Sequence, residues 1–103
     1  MDCNCCLIAQ EILPCDKLYE DDCAMVVRDL DKEHPGHVRV ISTRHTNEIY
    51  GNVYTVIGEV VMAAAKNGYS GVTVNAEEGE HFCVHIIPFK KGDAANANLL
   101  EEN

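Results

Sequence analysis

Hydrophobic and polar positions along the chain alternate with two periods, and the change of period marks the elements. Short runs rich in β-branched residues predict strands over Lys17 to Glu20, Ala24 to Arg28, His37 to Ser42, Ser70 to Asn75 and His81 to Ile87. The acidic turn Asp21-Asp22 separates the first two, and Pro35-Gly36 marks the loop before the third. Between the third and fourth, Ile49, Val53, Val56, Ile57, Val60 and Ala64 recur at helical spacing and form one apolar stripe. Thr46 or Asn47 is the expected cap, Gly68 the expected stop, and Pro88 the expected end of the last strand. The reading is α+β: an antiparallel meander of about five strands packed on one main helix. Residues 1–93 form a single domain and residues 94–103 a short acidic tail.

Composition narrows the function classes. A chain of 103 residues with 47% hydrophobic and 24% charged side chains supports one globular core. No apolar run approaches the about 20 residues a membrane-spanning helix needs. The net charge of −9 disfavours nucleic acid and anionic membrane surfaces, whose binding rests on neutralised phosphates. The opening MDCNCC holds Asp2, no basic residue and no apolar core, unlike a secretory leader. A cytoplasmic protein with reduced thiols is the expectation for its 6 cysteines.

Strand periodicity places His81, Cys83, His85 and Ile87 on one face of the last strand, with Phe82, Val84 and Ile86 on the other, core-facing side. Two imidazoles flanking a thiol on a strand are a candidate site, to be weighed against satisfied structural histidines. His37 opens the third strand and His45 follows its end, and both are expected near this face. Cys3-x-x-Cys6 is either a pair of reduced, half-buried thiols or one edge of a tetrahedral zinc site completed by two further ligands.

These blocks, in this order, resemble the histidine triad (HIT) family of nucleotide hydrolases and transferases over roughly residues 2 to 93. The matching segments are Asp2-Cys3 with Cys6, IAQEI (8–12), KLYEDD (17–22), Asp29, PGHVRVI (35–41), His45, the amphipathic helix, Asn75, HFCVHIIP (81–88) and Lys91-Gly92-Asp93. The family signature alternates three histidines with apolar residues. Here its middle position, which in the family attacks the α-phosphorus and carries the nucleotide, is Cys83.

The resemblance implies a nucleotide-binding protein related to nucleoside phosphoramidate or dinucleoside polyphosphate hydrolases, with activity weak or lost. The catalytic positions are Cys83 (the nucleophile's place), His85 and His37. The nucleotide contacts are Asp29, His37, Asn75 and His85. The ligand is a purine mononucleotide or nucleotide conjugate, and the assembly a homodimer. The resemblance also implies a structural zinc on Cys3, Cys6, His45 and His81, with Cys83 or Cys5 as alternative ligands. Two departures weigh against turnover. The loop from Asn75 to Glu80 is short, with Glu77, Glu78 and Glu80 repelling phosphate, and Phe89 stands where many members carry Arg. Cys83 lacks the Cys-x5-Arg loop of cysteine phosphatases. The alternatives are an active hydrolase using Cys83 or water, and a zinc-stabilised binding module without nucleotide.

Overall fold

The computed structural model describes residues 3–10, 13, 15–29, 33–48 and 51–90. The expected tail at 94–103, and Lys91-Gly92-Asp93 before it, lie outside the described residues. The elements are α1 (Asn4–Ala9), β1 (Asp16–Glu20), β2 (Ala24–Arg28), β3 (Val38–Ser42), α2 (Val53–Lys66), β4 (Gly71–Ala76) and β5 (Cys83–Phe89). The five strands form one antiparallel sheet in the order β1-β2-β3-β5-β4.

That order keeps the α+β architecture but departs from a sequential meander. β3 and β4 are joined through α2, and β5 returns to fill the place between them, pairing Arg39 with His85 and Asn75 with His85. The last strand is therefore central, and its side chains can meet residues from both β3 and β4.

The sheet has a helix on each face. Val84 and Ile86 of β5 join Val26, Val38, Val40 and, from α2, Val53 and Val56 in one core cluster. On the other face Cys83 packs with Met25, Val27 and Ile41 under Cys5 and Ile8 of α1. Two covered faces explain why Ala24 to Val27 are all buried, with no alternation along β2.

Several boundaries moved, each for a local reason. α1 went unread because six residues carry too little periodicity to distinguish a helix from a loop. α2 begins at Val53 rather than near Thr46. The Thr46 hydroxyl accepts the Glu48 amide in a local turn, and the Asn52 side chain donates to Asp21 instead of capping. The helix stops as expected at Gly68, whose φ of +89° suits glycine. There Tyr69 N–H donates to Ala64 and Gly68 N–H to Ala65, a Schellman closure. Pro88 lies inside β5 instead of ending it. The β3 partner stops opposite Ile86, so Pro88 pairs only with Val72 of β4 and costs no ladder bond on its open side.

Candidate functional site

β3 and β5 set out the polar groups on the α1 face by register. Ile41 lies opposite Cys83 and Arg39 opposite His85, so both pairs point the same way. Pro35-Gly36 turns the chain into β3 and delivers His37 one residue before the strand. Its Nε2 lies 2.9 Å from His85 Nδ1, and the two rings stand 5.0 Å apart. One of these two facing nitrogens carries the shared proton. Asp29, just past β2, brings Oδ2 to 3.8 Å from His37, 4.0 Å from His85 and 3.2 Å from Arg39 Nε. The Arg39 contact is an ion pair without hydrogen-bond geometry. Asn75 is exposed on β4 beside His85. Asp29, His37, Asn75 and His85 are thus brought to one face of the sheet. Arg39 joins them; the alternation His37, Arg39, Ile41 carried that signal and sequence reasoning passed over it.

Cys83 is 1% exposed. It donates its S–H to Glu77 Oε2 at 3.1 Å, and the same oxygen accepts from His85 Nε2 at 2.6 Å. The Glu77 amide donates to the Cys83 carbonyl, which pins the loop to β5. Contact with the Cys5 sulfur, then burial, then the Glu77 carboxylate push the Cys83 thiol far above its ordinary value. Cys5 is lowered in return by the bond from Cys83. Glu77 is held below the usual carboxylate range by Cys83 first, with His85 and Arg39 adding to it. At neutral pH Cys83 is therefore a protonated donor, the opposite of a poised thiolate. The acidic loop reaches further into this cluster than the sequence suggested: Glu77 bonds to both Cys83 and His85.

His81 lies elsewhere. It precedes β5, is 6% exposed, and donates Nε2–H to the Ser42 carbonyl at 2.8 Å. Its Nδ1 then faces Cys3 Sγ and Cys6 Sγ, each at 3.4 Å, while His45 Nδ1 lies 3.1 Å from Cys6 Sγ. The four ligand atoms of Cys3, Cys6, His45 and His81 fall within 4.8 Å of one another. Zinc bonds of about 2.3 Å to sulfur and 2.0–2.1 Å to nitrogen give a tetrahedral S···N edge of roughly 3.5 Å, so this donor set fits the ion. The outer contacts fit as well, with a backbone carbonyl on His81 and the Glu80 carboxylate 3.4 Å from His45 Nε2. A shallow cleft of about 340 Å³ runs from this quartet to Glu77 and Gly79. A larger cavity of about 610 Å³ opens on the opposite face, between α2 and β1–β2, and none of the histidines lines it.

No protein-family model matches the chain. It is 27% identical over 90 residues, 77% of this chain and 81% of the relative, to an uncharacterized HIT-like protein of Chlamydia trachomatis serovar D. Among solved structures it superposes with a TM-score of 0.68 on a zinc-bound histidine triad family protein from Mycobacterium smegmatis. That match has 22% identity and covers 86% of this chain and 76% of the other. A hypothetical histidine triad nucleotide-binding protein from Sulfolobus tokodaii strain 7 gives 0.68 as well, at 25% identity, covering 88% and 71% of the two chains. No helix among the described residues is long and apolar enough to cross a membrane. The chain thus shares its fold with solved histidine triad family structures and is similar in sequence to a HIT-like protein.

Proposed function

We propose that this protein binds a purine mononucleotide or nucleotide conjugate beside the His37–His85 pair and hydrolyses it weakly or not at all. The convergence of His37, Asp29 and Arg39 beside His85, with Asn75 paired to it on β4, carries this reading. Two imidazoles and a guanidinium suit a phosphate, and the Asp29 carboxylate suits ribose hydroxyls. A thiol that keeps its proton and donates it to Glu77 is a poor replacement for a histidine nucleophile. The likeness to a nucleotide-binding histidine triad protein supports the ligand class.

The Cys3, Cys6, His45 and His81 set is assigned a structural zinc. Its role is to fasten α1 to the start of β5, and the likeness to a zinc-bound relative supports it. A homodimer is expected through α2 and the β4 edge, where Tyr54, Met62 and Val74 are exposed.

The deciding experiment is hydrolysis of adenosine 5′-phosphoramidate by the natural protein beside Cys83→His, with AMP binding followed by calorimetry. The expected result is AMP binding by both, little turnover by the first and a gain by the second. No AMP binding by either overturns the nucleotide reading. Ready turnover by the natural protein that survives Cys83→Ala overturns the lost-activity reading and points to attack by water.

A further inference from the structure

We infer that Glu77, Cys83 and His85 form a second metal site, of the open type with three protein ligands and one free position, distinct from the Cys3/Cys6/His45/His81 quartet. The inference does not rest on nucleotide binding; it rests on what surrounds the thiol at the centre of the sheet.

The three ligand atoms already converge. Cys83 Sγ, Glu77 Oε2 and His85 Nε2 lie within 4.8 Å of one another. Two of the three distances are hydrogen bonds, 3.1 Å from sulfur to carboxylate and 2.6 Å from imidazole to the same carboxylate. Tetrahedral zinc with these donors needs S···O and N···O edges of roughly 3.3–3.6 Å, so the carboxylate has to withdraw by less than about 1 Å. Glu77 is free to do so. Its backbone is tied to Cys83, while its side chain is 48% exposed.

The backbone enforces this set. β5 projects Cys83 and His85 from one face by the strand period, and the amide bond to the Cys83 carbonyl sets Glu77 over them. His37 supplies the outer contact. With the shared proton on His85 Nδ1, that nitrogen donates to His37 Nε2 at 2.9 Å and leaves His85 Nε2 open to the ion. Metal binding then displaces the two hydrogens that now bond the Glu77 carboxylate, the Cys83 S–H and the His85 Nε2–H.

Thiolate, imidazole and carboxylate together suit zinc or cobalt(II) and disfavour magnesium and calcium, which take oxygen ligands. The free position faces solvent, because His85 and Glu77 are partly exposed while Cys83 lies beneath them. It is the place for a water or a phosphate oxygen. The ion's charge would also convert the acidic loop from a barrier to anions into part of their seat.

The test is metal stoichiometry in the full-length protein, stripped and titrated with zinc or cobalt(II) alone. Glu77→Gln and Cys83→Ser are each expected to bind one equivalent fewer than the natural chain. The Cys83→Ser cobalt derivative is also expected to lose part of the sulfur-to-metal charge-transfer absorption. His37→Ala is expected to weaken the lost equivalent about 10–100-fold. Cys6→Ser removes the other equivalent and leaves this one, which separates the two sites. Glu77 is half exposed, so Glu77→Gln is readable even where a cysteine variant folds poorly. Equal stoichiometry in the natural protein, Glu77→Gln and Cys83→Ser overturns the inference.

Discussion

Withdrawing the zinc proposed for the cysteine–histidine quartet is expected to release α1. The magnitude follows from what else holds that helix. Ile8 and Cys5 are its buried side chains, at 5% and 9% exposure. Together they are worth about 3–5 kcal/mol of burial. Fixing the backbone of six residues costs about 6–12 kcal/mol, and a helix this short is marginal by itself in water. The deficit is several kcal/mol. An ion held at a thousand times its dissociation constant returns about 4.1 kcal/mol, which is of the right size to close it. At roughly 4–8 °C per kcal/mol for a domain of this length, chelation should lower Tm by roughly 15–30 °C. The assay is thermal unfolding across buffered free-zinc concentrations, with hydrogen exchange read at the Leu7 and Gln10 amides, which donate to Cys3 and Cys6. They should lose protection first, while the sheet keeps its own. A Tm independent of free zinc, with those two amides still protected in chelator, would refute the reasoning.

Ile86, fully buried in the central strand, should cost about 2–5 kcal/mol when changed to Ala, measured by urea unfolding. Gly36 has a φ of +91°, and an added Cβ would sit 2.8 Å from the Tyr69 hydroxyl. Gly36→Ala should therefore destabilise by about 1–3 kcal/mol and displace His37, seen as weaker AMP binding. Asp21 accepts from Tyr19 and Asn52 and from the Cys23 and Ala24 amides, which hold its carboxyl far below the usual range. A depressed folded value means its contribution is full above the unfolded value of about 4 and is lost as pH falls below it. Tm of the natural protein should thus drop more steeply than that of Asp21→Asn below about pH 4.

Most of the sheet was legible because its strands are β-branched runs bounded by Pro, Gly and acidic turns. The placement of β5 was not, since nothing local says whether the strand after β4 adds at the edge or inserts beside β3. Insertion buries Val84 and Ile86 between β3 and β4 under α2, and that long-range gain leaves no periodic trace. The site was half visible. Spacing put Cys83 and His85 on one face, but it put His81 there too, and His81 precedes the strand with its own bond to Ser42. The sequence offered Glu77 only as a repulsive charge. Its bonds to Cys83 and His85 depend on where the short loop folds back, a tertiary fact.

Cys3 and His81 touch across 78 residues of chain. During synthesis at about 5–20 residues per second, His81 emerges roughly 4–16 s after the cysteines that it meets. For that interval Cys3, Cys5 and Cys6 stand on a nascent segment whose covering strand does not yet exist. The order of synthesis thus gives these thiols a window for oxidation or a wrong metal partner before β5 docks. The yield of native protein should then depend on the reducing state and metal supply of its compartment at the ribosome, rather than on the finished fold alone.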